Sequence, residues 1–68
     1  MNDDLFNMEV RKFLKQLGVT AQREIEEAVR RALAEGRIQG SEALDAAAKV
    51  DIPQIDLSHE VKGTIKLD

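Results

Sequence analysis

The 68-residue chain contains no cysteine, no tryptophan and no tyrosine, and only one proline and two phenylalanines. The absence of cysteine excludes disulfide bonds and thiolate zinc sites as sources of stability. Hydrophobic residues make up 43% of the chain, but eight of them are alanine, so the expected core is thin. A chain of this length forms one domain, 1–68, and domains this small often depend on a partner subunit.

Long apolar runs and an excess of basic charge are also missing. No uninterrupted apolar run exceeds three residues, whereas a membrane-spanning helix needs about 20. The first residues are acidic, where a secretion signal would be basic and then apolar, so we expect a cytoplasmic protein. The net charge of −3 lacks the basic excess that is typical of nucleic-acid-binding domains.

Apolar residues at helical spacing predict two N-terminal helices. The first covers about 3–17, and Gly18 is expected to end it in the left-handed conformation. Thr20 is a candidate N-cap for a second helix over about 21–35, which Gly36 ends. The two apolar stripes consist of Phe6, Val10, Phe13, Leu14 and Leu17, and of Ile25, Ala28, Val29, Ala32 and Leu33.

In the C-terminal half, apolar and polar residues alternate, which is typical of a half-buried strand. This alternation predicts strands over about 47–52 and 55–67, joined by a hairpin at Pro53-Gln54. The fixed φ of proline does not suit a two-residue turn, so we expect a wider connection. Gly63 indicates either a bulge or a turn. For residues 41–49 we favour a turn leading into a strand, with a short third helix as the alternative.

Together these elements predict an α+β fold of order ααββ, in which a helical hairpin packs on one face of a small antiparallel sheet. Pairing Ile52 with Ile55 and Val50 with Leu57 would keep the apolar residues of the sheet on one face. The predicted core consists of Phe6, Val10, Phe13, Leu14, Leu17, Ile25, Val29, Leu33, Val50, Ile52, Leu57, Val61 and Ile65.

The sequence contains no constellation typical of catalysis. His59 is the only histidine, and its neighbours Ser58 and Glu60 would point to the opposite face of the strand, so we expect a packed structural histidine. No phosphate-binding glycine loop, nucleophile motif or calcium-binding loop is present. We therefore expect a non-enzyme with no cofactor and with no catalytic, cofactor-binding or metal-binding residues.

Two groups of residues are candidate contacts for a partner. Leu5 and Met8 project away from the first apolar stripe, and Arg11, Lys12 and Lys15 gather on the outer side of the same helix. These features favour a small non-enzymatic protein-protein interaction module of unknown partner. The alternative is a weak nucleic-acid-binding accessory protein of helix-turn-helix type, although three glutamates in the second helix would oppose phosphate binding.

Self-association is a further hypothesis, because the predicted second strand is nearly twice as long as its partner. The unpaired part could pair with the same strand of another subunit, fold back at Gly63, or be protected as an edge by lysines. The contacts of such a homodimer would be Lys62, Thr64 and Lys66.

Three segments also carry a family resemblance: Leu5–Met8, the run from 11 to 26, and the alternating tail 57–67. Together they resemble a family of small bacterial proteins described as a domain of unknown function. The resemblance spans nearly the whole chain, and it implies a bacterial α+β domain. It implies no activity, cofactor or site residue.

Overall fold

In the computed structural model, which describes residues 1–68, one long helix precedes a β-hairpin, so the α+β class is confirmed. The helix α1 covers Asp3–Ala34, and the strands β1 and β2 cover Ala43–Ile52 and Leu57–Lys66. The chain divides into two compact units, Met1–Glu35 and Gly36–Asp68, which are described separately below. That the chain forms a single domain stays a prediction.

The prediction of two N-terminal helices is wrong, because α1 is continuous through the expected turn and the element order is αββ. Gly18 is helical and does not end the first helix; a glycine inside a helix costs only about 1 kcal/mol relative to alanine. Thr20 does not cap a second helix, since its hydroxyl donates a hydrogen bond to the Gln16 carbonyl oxygen at 2.9 Å. Gln16 and Leu17 before Gly18, and Ala21 and Gln22 after Thr20, favour helix, so the less favourable segment 18–20 does not interrupt it.

The two ends of α1 follow the expected capping chemistry. The Asn2 side-chain oxygen accepts a hydrogen bond from the Leu5 backbone N–H at 3.0 Å, so Asn2 is the N-cap. Asp3 and Asp4 lie in the first turn, where their negative charges interact favourably with the positive end of the helix dipole. The helix ends before Gly36, whose φ of 75° lies in the left-handed region.

The hairpin pairs two strands of ten residues each. β1 is longer than the predicted strand 47–52, and β2 is shorter than the predicted strand 55–67. Ile52 pairs with Leu57 and Val50 with His59, so the predicted register is wrong by two residues. The reason is the connection: Pro53–Ile55 forms a 3₁₀ turn, which removes Ile55 from the strand. A connection wider than two residues is thereby confirmed.

Two uncertainties of the second half are resolved by the same register. Residues from Ala43 onward are strand, so the short third helix is absent and the favoured alternative is confirmed. Gly63 pairs in register with Ala46, and it therefore forms neither a bulge nor a turn. The strands have equal length, so the unpaired extension that was expected beyond β1 does not exist.

The predicted core is the largest disagreement with the structure. No residue of the chain is buried, and Val29, Val50 and Ile65 are the only predicted core residues of intermediate exposure. Phe6 and Phe13 are about half exposed, at 50% and 52%. The predicted core residues therefore form accessible apolar faces.

Candidate interaction surface

The continuity of α1 joins the first predicted apolar stripe to three members of the second, Ile25, Ala28 and Ala32. The other two members, Val29 and Leu33, lie about 100° and 140° from the middle of the joined stripe. At about 100° per residue, nine apolar residues lie within an arc of about 120° along the whole helix. We call this set the apolar stripe. It consists of Phe6, Val10, Phe13, Leu14, Leu17, Ala21, Ile25, Ala28 and Ala32.

The apolar stripe stays parallel to the helix axis because eight of its nine members recur at an interval of eleven residues. Phe6, Leu17 and Ala28 form one such series. Three helical turns take about 10.8 residues, so an eleven-residue repeat drifts by only about 20°. Two short helices were predicted and Ala21 was missed, although this repeat would have identified a single helix.

The opposite side of α1 brings together all five residues that were predicted as partner contacts on this helix. They lie within an arc of about 120°, centred about 160° from the middle of the apolar stripe. We call this set the basic face. It consists of Leu5, Met8, Arg11, Lys12 and Lys15. All five are exposed, so this face presents positive charge beside two apolar side chains.

The hairpin also has one apolar face. The cross-strand pairs Leu44–Ile65 and Ile52–Leu57 lie at its two ends. Between them lie the pairs Ala46–Gly63 and Ala48–Val61, in which only Val61 is larger than alanine. His59 lies on this face opposite Val50, and it is exposed, so the expected packing of this histidine is wrong. A two-stranded hairpin is marginally stable alone in water, so this face needs covering.

The residues predicted as edge contacts lie on the other face of the hairpin. Lys62, Thr64 and Lys66 pair with residues of β1, so they are not part of an unpaired strand extension. The Lys62 ammonium lies 3.5 Å from the carboxylate of Glu60, but the Lys62 side chain is 80% exposed, so this ion pair adds little stability. The structural reason for placing a dimer contact here has therefore been removed.

The most organised polar group is the Glu42 carboxylate, which begins the hairpin. It accepts hydrogen bonds from the backbone N–H groups of Gln39 at 2.7 Å, Gly40 at 2.9 Å and Ser41 at 3.2 Å. The Gln39 hydrogen bond, followed by those from its neighbours, lowers the pKa of Glu42, although desolvation opposes the shift. The left-handed φ of Gly40, 96°, belongs to the same turn. Glu42 thus stabilises the entry to β1.

Other features of the chain offer little chemistry. No group of three or more His, Asp or Glu side chains is arranged to hold a metal ion. An open hollow on the hairpin lies between Ala46 and Gly63 and is lined by their neighbours on both strands. This hollow arises from small side chains, and it contains no nucleophile paired with a base.

No helix of the structure combines the length and the apolar character that crossing a membrane requires.

Comparison with known proteins gives one result that covers the whole chain. No curated protein and no solved structure is significantly similar to the chain. A family of unknown function (DUF6494) matches residues 1–68. Because the match spans the full sequence, the chain belongs to this family.

Proposed function

We propose that the protein is a non-enzymatic protein-protein interaction module whose contact surface is the apolar stripe of α1. The observation that carries this proposal is the length of the stripe, which runs from Phe6 to Ala32 without a buried member. Contiguous exposed apolar surface of this extent is typical of interaction sites. The flanking charged residues are also typical of a helix that packs through one face.

The apolar stripe is a better candidate than the basic face. The side of α1 that carries the basic face also presents Val19, Val29 and Leu33, but its apolar residues are interspersed with charged ones and do not form a continuous stripe. Scattered exposed apolar residues of this kind are normal on protein surfaces. The helix-turn-helix arrangement behind the nucleic-acid alternative is absent, because Gly18 and Thr20 are helical. Nucleic-acid binding therefore lacks a structural element that would favour it.

Cysteine accessibility tests the proposal, since the native chain has no cysteine. Leu14 and Leu5 are a matched pair, exposed by 49% and 48%, on the apolar stripe and on the basic face. Each would be replaced by cysteine, and its reaction rate with a maleimide would be measured in purified protein and in a lysate of the native cell.

We expect the Leu14→Cys thiol to be protected and the Leu5→Cys thiol to react at the rate of a free surface cysteine. A Leu14→Cys thiol that reacts as fast as the Leu5→Cys thiol, both in purified protein and in the lysate, would contradict the proposal. Protection of Leu14→Cys in a chain shown to be monomeric and unbound would also contradict it. Protection of Leu5→Cys alone would move the contact to the basic face.

A second measurement separates the nucleic-acid alternative. Fluorescence anisotropy with labelled mixed-sequence DNA and RNA at low salt should show no binding. Micromolar affinity that falls steeply as salt rises would instead favour a nucleic-acid-binding protein, since released counterions give phosphate binding this dependence.

A further inference from the structure

We infer that the partner of the apolar stripe is a second copy of the chain. The two α1 helices pack antiparallel, and the two-fold axis between them crosses the helices at the level of Val19. This inference rests on the proposed function, because it names the partner of the same surface. It is carried by the spacing of the stripe, by its side-chain volumes, by the end charges of α1 and by the exposed area.

The spacing of the apolar stripe reads the same from both ends of the helix. Leaving Leu14 aside, successive members are separated by 4, 3, 4, 4, 4, 3 and 4 residues, and the pattern is symmetric about Val19. An antiparallel copy centred there therefore places eight of the nine members at the same levels as members of the other stripe, and it places Leu14 at the level of Glu24. The coincident levels are Phe6 with Ala32, Val10 with Ala28, Phe13 with Ile25, and Leu17 with Ala21.

Each of these levels combines a larger side chain with a smaller one. The large residues Phe6 and Phe13 lie in the N-terminal half of α1, and the alanines lie in the C-terminal half. Antiparallel pairing thus keeps the packed volume nearly constant, as two helices at a constant separation of about 8–10 Å require. Parallel pairing would place phenylalanines together at one end and alanines at the other.

The charges at the ends of α1 favour the same orientation. The first turn carries Asp3 and Asp4, and the last turn carries Arg31. In an antiparallel pair the first turn of one helix, with Asp3 and Asp4, lies near Arg31 of the other helix, while the C-cap residue Glu35 lies at the level of Asp3. The two helix dipoles then run in opposite directions, which is favourable. A parallel pair would instead bring four carboxylates together at one end.

The exposed area is sufficient for a stable dimer. The chain has an accessible surface of 6105 Å². A folded monomer of 7.6 kDa is expected to expose about 4,300 Å². The difference of roughly 1,800 Å² per chain is distributed over α1 and the hairpin, and a standard interface takes approximately 800 Å² from each partner.

Distances between spin labels test the orientation without altering the apolar stripe. Met8 and Val19 both lie on the side of α1 opposite the stripe, and they are 60% and 51% exposed. The variants Met8→Cys and Val19→Cys would each be spin-labelled and measured by double electron-electron resonance. At 1.5 Å per residue, the antiparallel pair separates the two Met8 positions by about 33 Å along the helix axes and the two Val19 positions by almost nothing.

We therefore expect a much longer distance for the label at Met8 than for the label at Val19. A mixture of labelled Met8→Cys and Arg30→Cys proteins should add a short distance, because Met8 and Arg30 occupy the same level. Equal short distances at Met8 and Val19 would indicate a parallel pair and overturn the inference. A parallel pair would leave the proposed function standing. Absence of any measured distance, together with protection of Leu14→Cys only in a lysate, would also overturn the inference and leave the proposed function standing. Absence of a distance together with a reactive Leu14→Cys thiol would contradict both.

Discussion

Replacing Gly18 with alanine tests whether α1 is one helix, because the two arrangements predict effects of opposite sign. In a continuous helix, alanine is more favourable than glycine by about 0.8–1.0 kcal/mol. A Cβ atom at Gly18 would meet no atom within 4 Å, so no clash opposes this gain. For a domain of this size, about 1 kcal/mol raises the Tm by roughly 4–8 °C.

Gly36 provides the matched control. A Cβ atom there would also meet no atom within 4 Å, but the φ of Gly36 is 75°, where an alanine costs about 1–2 kcal/mol. We expect Gly18→Ala to raise the Tm and Gly36→Ala to lower it, in thermal unfolding followed by circular dichroism at one protein concentration. A lower Tm for both variants would show that Gly18 occupies a left-handed turn, and it would refute the continuous helix.

Three further predictions concern the cap, the hairpin turn and the apolar stripe. Asn2→Ala removes the N-cap of α1 and should lower the free energy of unfolding by about 1 kcal/mol, with faster amide exchange in the first turn; unchanged exchange would show that the cap is dispensable. Because the folded pKa of Glu42 is lowered, its stabilisation is present above the unfolded pKa and is lost as the pH falls through the folded value. Glu42→Gln should therefore flatten the acid limb of hairpin stability measured by NMR, and an unaltered pH profile would contradict this role. Leu14→Glu should weaken self-association by roughly 100-fold or more in sedimentation velocity, because the two-fold axis buries one added carboxylate from each chain. Leu5→Glu should leave self-association unchanged, and the reverse order of effects would move the interface to the basic face.

The secondary structure of the second half followed well from the sequence because its signals are local. Strict alternation identified β2, and the single proline indicated a wide connection. The register was missed by two residues because alternation fixes only which face a residue occupies. A shift by two residues keeps every apolar side chain on the same face, so only the turn at Pro53–Ile55 sets the pairing.

Two helices were wrongly predicted in the first half because Gly18 and Thr20 are compatible with two different structures. The same residues form a C-terminal glycine and an N-cap in a helical hairpin, and they are tolerated inside a long helix. The spacing of four residues between Leu17 and Ala21 continues the apolar stripe and decides between these readings. Helical periodicity alone places the five predicted partner contacts of α1 on one face, and their contact with a partner stays a prediction.

The predicted core could not be tested by pattern, because amphipathic periodicity identifies a face that is to be covered and does not identify what covers it. Phe13 and Leu14 satisfy the pattern of a core residue equally well inside a monomer and at a subunit interface. The stripe residues were therefore predicted as a monomer core, whereas the dimer contact was predicted on β2 because the two predicted strands differed in length.

Sedimentation equilibrium of the unmodified chain tests self-association through the apolar stripe most directly. The mass should approach about 15 kDa, twice the 7.6 kDa of one chain, at micromolar concentration, and dilution should restore the monomer. A mass of 7.6 kDa at every concentration up to the millimolar range would contradict a dimer formed by α1.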